Sequence, residues 1–382
     1  RAADQAPFLT KSLASGTKSL VVNNLEVGTA YTWSVEDAAG NRQTAIFTTE
    51  AQAPRILYSQ KVKSVRDLGG WTGLQGCRVK QGELIRTAEM DNYGAENRLS
   101  DDEIAFYRDV IGVKSDVDLR SDVTIRDEET QSVETTGRTP IPGATWYGCP
   151  VTGFGYQFPA PSEVAQLNTN FANFKKAFGY VLDATKRPLV FHCISGRDRT
   201  GTVAALTLAL LGVSEDDIWR EYRIAQDMTS ADRFHIDEIT GTLKSWYPAE
   251  TLAASAKRYF TETLGFKFAE VEQFRTAMLP GYVPEEPPVS TLALTAPADG
   301  ATVALYTAEQ KKYFALTGES IKTQYIGFDS SMRDRYLHPS VTLAWTGANG
   351  AVTVRVTRQG GRVLVSKEPC TTWRSARPTR GR

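Results

Sequence analysis

The feature that most limits how this 382-residue chain can fold is a junction between two apolar runs, Phe191-His192-Cys193-Ile194-Ser195-Gly196-Arg197-Asp198-Arg199-Thr200-Gly201. Before it, Pro188 to His192 reads as a short buried strand. After it, Thr200 to Leu211 has the length and composition of a helix with almost no polar face, stopped by Gly212. A buried strand that passes through a tight loop into a buried helix predicts a layered α/β domain around this unit.

The loop itself has the residues of an oxyanion cradle. Cys193 is followed by five residues, then Arg199 and the hydroxyl of Thr200. A loop of this length can curl so that the backbone N–H groups of Ile194, Ser195, Gly196, Arg197, Asp198 and Arg199 converge on one tetrahedral oxyanion, with the positive end of the helix aimed at the same point. The guanidinium of Arg199 can grip two phosphate oxygens in its planar fork. Cys193, at the base, feels these partial charges and is expected as a thiolate near neutral pH. Gly196 permits the tight path and Gly201 close helix packing. The chemistry implied is in-line phosphoryl transfer to sulfur, then hydrolysis of a cysteinyl-phosphate, with Thr200 helping the sulfur leave. His192 either orients the loop and tunes the thiolate or is a satisfied core histidine.

Composition excludes several other classes. Lys plus Arg and Asp plus Glu are both 44, so the chain lacks the basic excess of a general nucleic-acid or anionic-membrane binder. With three histidines (His192, His235, His338) and four scattered cysteines (Cys77, Cys149, Cys193, Cys370), no spacing suits a metal, and no metal or cofactor is expected. Cys77 and Cys149 are read either as a pair or as free thiols. No apolar run approaches the roughly 18 residues of a membrane helix. The chain begins at Arg1 rather than Met, which reads as a processed or trimmed product.

Texture along the chain predicts domains at 1–52, 53–281, a linker at 282–289, a β segment at 290–368 and a disordered tail at 369–382. In the first, Ser19 to Val22, Ala30 to Glu36 and Thr44 to Thr48 read as three strands. In the second, Ser100 with Glu103 forms a capping box opening a helix through Tyr107 and Val110. Val113 to Leu119 reads as a strand, Ser162 to Lys186 as a long helix, and Ser214 caps a helix carrying Ile218, Tyr222 and Ala225. In the C-terminal segment, Val341 to Trp345 and Val352 to Val356 alternate about a loop at Gly347 to Gly350, predicting a hairpin.

At the Cys193 loop the sequence resembles the cysteine-dependent protein-tyrosine phosphatases, and more narrowly the bacterial ones with an HCxxGKDRTG loop. Val65-Arg66-Asp67-Leu68-Gly69-Gly70, Gly82 to Thr87, Asp118-Leu119-Arg120-Ser121 and Gly212 to Tyr222 resemble further segments of that family, over about residues 54 to 280. The resemblance implies a tyrosine-phosphatase-like central sheet flanked by helices. The expected substrate is a phosphotyrosine protein or another phosphomonoester. Arg197 stands where the family has Lys, which keeps a phosphoinositide or inositol phosphate phosphatase as the alternative. A catalytically dead phosphate-binding module is the reading from another class, and the intact Cys193, Arg199 and Thr200 argue against it. No Trp-Pro-Asp occurs, so the general acid falls to Asp118, which the DLRS resemblance favours, or to Asp198, which can instead position water or balance Arg197. Arg66 and Asp67 read as a structural pair; Arg120 can be structural or catalytic. The terminal segments resemble complementary pieces of a fibronectin type III or immunoglobulin-like β-sandwich, completed within one chain or by self-association between chains. Modules of that kind weakly favour a secreted, periplasmic or cell-surface protein over a cytoplasmic one.

Overall fold

Alternation along short strands builds the central sheet of the computed structural model. The structure describes residues 9–92, 97–120, 137–152, 158, 160, 169–229, 236–286, 293–298, 343–346, 354–357 and 363–366. They divide into two units, Arg1–Glu286 and Pro287–Arg382.

In the first unit, a hairpin of β1 (Ala30–Glu36) and β2 (Arg42–Thr48) precedes β3 (Arg55–Ile56), β4 (Arg66–Asp67), β5 (Leu84–Thr87) and the small β6 (Asp91–Asn92) and β7 (Asn97–Arg98). Helix α1 (Asp101–Ala105) and strands β8 (Ser115–Asp118) and β9 (Thr145–Gly148) follow, then α2 (Thr169–Leu182), β10 (Leu189–His192) and α3 (Asp198–Leu210). Helices α4 (Glu215–Thr229), α5 (Ile236–Trp246), α6 (Leu252–Arg258) and α7 (Phe268–Met278) complete the unit. The sheet order is β3-β4-β5-β10-β8-β9. β5, β10, β8 and β9 run parallel, and β3 and β4 add an antiparallel edge.

Successive strand residues face opposite layers. Leu84, Val117, Leu189 and Phe191 join the large core cluster, which also takes in residues of α2, α3, α5, α6 and α7. Ile85 and Val190 turn to a smaller cluster with Leu57, Tyr107 and Ile141. Every residue of α3 from Thr200 to Leu210 is buried, as its lack of a polar face predicts. Gly212, at φ +75, then turns the chain away from the helix.

Several sequence expectations hold in detail. Ser100 Oγ accepts from Glu103 N while Glu103 Oε2 accepts from Ser100 N at 2.7 Å, the capping box that opens α1. Ser214 Oγ accepts from Asp217 N at 3.1 Å ahead of α4. Of the predicted 162–186 helix, α2 occupies 169–182, and 161–168 lie outside the described residues.

Of the two readings of Cys77 and Cys149, the structure has free thiols. Other expectations are corrected. Ser19 to Val22 form no strand: Val21 is 81% exposed, and β1 pairs with β2 alone among the described residues. The 52/53 boundary is bridged by hydrogen bonds, because Arg55 Nη2 donates to Asn24 O at 2.8 Å and Gln81 Nε2 to Val27 O at 2.9 Å. The start of the expected linker belongs to the first unit: Tyr282 is buried and its hydroxyl donates to Glu272 Oε2 at 2.8 Å, and Glu285 pairs with Lys257 at 2.6 Å.

In the second unit, β11 (Ala293–Ala296) pairs with β12 (Ala344–Thr346), and β13 (Val354–Thr357) with β14 (Val363–Ser366), both antiparallel. Among the described residues β12 therefore pairs with β11 instead of the expected hairpin partner. The remaining residues of 290–368 and the tail at 369–382 lie outside the described residues.

Because α3 lies in the middle of the large cluster, removing one of its fully buried side chains leaves a cavity little able to collapse. Leu206→Ala is expected to cost about 2–5 kcal/mol, read as a lower urea midpoint with an unchanged slope.

Candidate active site

Register brings the carboxyl ends of four parallel strands to one edge. His192 of β10 is level with Thr87 of β5 and Asp118 of β8, and Asp118 is level with Gly148 of β9. In an open parallel sheet, that edge is where ligands bind. Cys193 is the next residue after β10, and α3 begins five residues later, its N-terminus opening on the same edge.

The loop between them is held from outside. Ile194 O accepts from Glu89 N at 3.0 Å and Ser195 O from Ser64 Oγ at 3.3 Å. Gly196 O accepts from Arg86 Nη2 at 2.6 Å, and Arg197 O from Gly201 N at 2.8 Å and Arg86 Nη2 at 3.4 Å. A planar trans peptide points its C=O and the following N–H in opposite directions. With these carbonyls bonded to the body of the domain, the N–H groups of Ser195, Gly196, Arg197 and Asp198 are turned to the other side. Gly196 has φ +65, and a Cβ there would lie 2.5 Å from Thr87 O, so both conformation and space demand glycine.

Arg199 is drawn to the same edge by carbonyls that follow β8 and β9. Its Nη1 donates to Leu119 O and Val151 O, each at 3.1 Å. Cys193 is buried; burial alone would raise its thiol, but the Arg199 charge and hydrogen bonds from the Thr200 hydroxyl and N–H hold it below the ordinary value, against Asp198. Thr200 Oγ1 is buried with no oxygen or nitrogen partner among the described residues. Arg197 and Asp198 pair with each other at the loop rim, Nε to Oδ1 at 3.0 Å, both only partly buried.

His192 and Asp118 lie behind the nucleophile. His192 Nε2 is 3.1 Å from Asp116 and 4.0 Å from Asp118, and Nδ1 is 3.3 Å from Cys193 O. Burial would keep the imidazole neutral, but the two carboxylates prevail and raise it to about 9. His192 is thus buried with its imidazole raised by the two carboxylates, and its Nδ1 lies beside Cys193 O.

Asp118 does not fit the general acid's role, and that expectation is corrected. It is fully buried, and Arg120 grips both its oxygens, Nε to Oδ1 at 3.0 Å and Nη2 to Oδ2 at 2.8 Å. Trp146 Nε1 adds a bond to Oδ2 at 3.3 Å. Burial opposes ionisation, yet His192 and Arg120 hold the carboxyl below its ordinary value. A proton donor must carry its proton, and the charges that lower Asp118 work against that. Arg120, left open by the sequence, is structural, joining Asp118 to Asp91 by a bond of 2.7 Å.

Arg66 and Asp67 are likewise no pair. Adjacent strand residues point to opposite faces, so Asp67 takes Arg55 at 2.9 Å and Arg66 takes Glu221 of α4 at 2.6 Å. Glu221 Oε2 also binds Arg86 Nη1 at 2.6 Å, a link beneath the loop that sequence reasoning missed. A signal for it was present: Ile218, Tyr222 and Ala225 mark the apolar stripe of α4, and Glu221 is an acid within that stripe.

Residues 57–280 match the family model described as "Tyrosine phosphatase family". The chain belongs to that family. A tyrosine-protein phosphatase of Cupriavidus necator is 31% identical over 171 residues, which are 42% of this chain and 59% of that protein. The "Triple specificity protein phosphatase PtpB" of Mycobacterium tuberculosis is 39% identical over 56 residues, 15% of this chain and 20% of that protein. The chain thus spans under two thirds of the length of these relatives. Among solved structures, the core catalytic domain of the PP-IP phosphatase Siw14 from S. cerevisiae is matched over 50% of this chain and 98% of that one, at 19% identity and TM-score 0.28. P. aeruginosa TpbA in complex with pTyr is matched over 43% of this chain and 86% of that one, at 15% identity and TM-score 0.25. At those scores the assignment rests on the family model.

Two outcomes follow from the charges at this site. The pH dependence of thiolate ultraviolet absorbance, taken as the difference from Cys193→Ser, should place Cys193 below an ordinary thiol and rise in Arg199→Ala, while Cys149, pushed by burial to about 12, stays protonated. His192 is raised in the folded state, so its stabilisation is complete below its unfolded value of 6.5 and is lost as pH rises through about 9. Urea midpoints from about pH 6 to about pH 10 should fall over that window and flatten in His192→Asn.

Proposed function

We propose that the protein is a metal-independent phosphomonoester hydrolase, a protein-tyrosine phosphatase working through a cysteinyl-phosphate. The observation that carries this reading is the thiol of Cys193, lowered by Arg199 and Thr200, at the base of a loop whose carbonyls all bond outward. The family match and the name of the C. necator relative support phosphotyrosine as the substrate.

In this reading the phosphate occupies the loop, with its equatorial oxygens on the inward amides and Arg199. Cys193 Sγ attacks phosphorus in line; the S–P bond forms as the bond to the leaving oxygen breaks. Amides and guanidinium hold the charge on the equatorial oxygens. Asp198 is also held through both oxygens, by Arg197 at 3.0 and 3.1 Å, but at the partly buried rim. In this reading Arg197 turns to the incoming phosphate, and the released Asp198, protonated, gives its proton to the leaving oxygen in place of Asp118. Water then attacks phosphorus and gives its proton back to Asp198. The S–P bond breaks, and the departing thiolate accepts from the Thr200 hydroxyl. Arg197, now paired to Asp198, meets the incoming dianion.

Turnover of an aryl phosphate in the presence of chelator tests the mechanism. Cys193→Ser should abolish turnover, and loss of wild-type activity to the chelator would overturn metal independence. Asp198→Asn should slow a poor leaving group by about 10²–10⁴-fold and a good one far less, whereas Asp118→Asn should slow both alike. Higher kcat/KM on inositol phosphates than on a phosphotyrosine peptide would replace the substrate assignment.

A further inference from the structure

We propose that Glu221 of α4 is a positioning residue for phosphate binding, orienting Arg86 and Arg66 so that the carbonyls of Ser195, Gly196 and Arg197 stay turned away from the bound phosphate. This rests on the phosphatase reading of the loop.

All three side chains are sealed from solvent: Arg66 and Arg86 are 0% exposed and Glu221 is 1%. Each Glu221 oxygen takes a different arginine, Oε1 from Arg66 Nε and Oε2 from Arg86 Nη1, both at 2.6 Å. The other arm of the Arg86 fork reaches Gly196 O at 2.6 Å and Arg197 O at 3.4 Å. Arg66 Nη1 donates to Ser64 O at 2.8 Å, and Ser64 Oγ reaches Ser195 O at 3.3 Å. One carboxylate therefore controls, through two guanidiniums, three consecutive carbonyls of the loop. Arg66 Nη2 also donates to Glu221 O at 3.0 Å, which ties backbone and side chain of the same helix residue to the arrangement.

A planar guanidinium donates in fixed directions, so its carboxylate partner determines where the remaining arm points. Without Glu221, Arg86 can rotate and release Gly196 O. A peptide that then flips would present a carbonyl to the phosphate in place of an N–H. Tyr222 packs against Gly201, where a Cβ would lie 2.5 Å from its ring, and this places the Glu221 turn of α4 directly beneath the first turn of α3.

The alternative is that Glu221 only neutralises buried arginine charge, and the two roles predict opposite signs. If Glu221 were a counter-charge, Glu221→Gln would leave extra positive charge beneath Cys193 and lower its thiol pKa further. If Glu221 positions the loop, the same variant loses inward amides, so the thiol pKa rises. The Ki of inorganic phosphate and KM for an aryl phosphate then increase by about 10- to 100-fold. The experiment is Glu221→Gln, assayed well below its melting temperature for thiolate absorbance against pH, phosphate inhibition and aryl phosphate kinetics. A lowered or unchanged thiol pKa with unchanged phosphate Ki overturns the proposal. If Glu221→Gln does not fold, Arg86→Lys, which keeps the charge but loses the fork, and Ser64→Ala, which removes one carbonyl bond, decide it. Both should raise the phosphate Ki, Ser64→Ala less; no change in either overturns the proposal. Absence of turnover in the wild type would instead overturn the phosphatase reading, and the thiol titration would still report on Glu221.

Discussion

A cradle of inward amides can exist only if the carbonyls of the same peptides are bonded on the other side. That constraint organises the domain around the Cys193 loop. Outward bonds come from Glu89 N, Ser64 Oγ and Arg86, and the last is held by Glu221. These donors lie just before β4 (Ser64), on β5 (Arg86) and just after it (Glu89), and the carboxylate bound to Arg86 lies on α4. The sheet edge and the helix layer are thus both required for a loop of a few residues to keep its shape. Removing one member of such a buried ionic group typically costs about 3–5 kcal/mol, because its partners are left charged in a dry interior. The molecule commits considerable buried charge to a backbone conformation.

A second buried ionic group lies behind the nucleophile and does different work. Asp116 and Asp118 keep His192 protonated, and Arg120 ties Asp118 to Asp91. His192 O accepts from Leu119 N at 2.8 Å and its Nδ1 lies 3.3 Å from Cys193 O, so the end of β10 is fixed in place. The two groups hold opposite ends of one short segment: the first fixes the loop from Ser195 to Arg197, the second fixes the strand that delivers Cys193. Between them the sulfur lies where Arg199 and Thr200 lower its thiol against Asp198. Asp198 remains at the partly buried rim, paired with Arg197.

Much of this was legible in the chain. The apolar runs on either side of the loop announced β10 and α3, and the caps at Ser100 and Ser214 marked two helix starts. Spacing from Cys193 to Arg199 and Thr200 named the groups that act on the sulfur. What misled was adjacency. Arg66 beside Asp67 suggested a pair, and Asp118, in a run resembling the family's DLRS strand end, suggested a general acid. In the strand the first two point apart, while Asp118 and Arg120 close on each other. The terminal β segments misled for another reason: alternation shows that a segment can be a strand but not what it pairs with. Among the described residues Ser19 to Val22 pair with no strand, and β12 took β11.

The sequence by itself determined the mixed α/β class and the strand–loop–helix that holds Cys193, Arg199 and Thr200 together. Those depend on local spacing and on apolar periodicity, which are properties of contiguous residues. Only the tertiary structure decided which carboxylates are sealed against arginines and which stays at the loop rim. Asp118 and Asp198 are alike as letters, and they differ because one is sealed behind the sheet with Arg120 while the other stays at the rim. Glu221 and Arg86 are separated by 135 residues, so their contact is set by the packing of α4 under the sheet. Ionisation responds to burial and to neighbouring charge, and both are fixed only when distant segments meet.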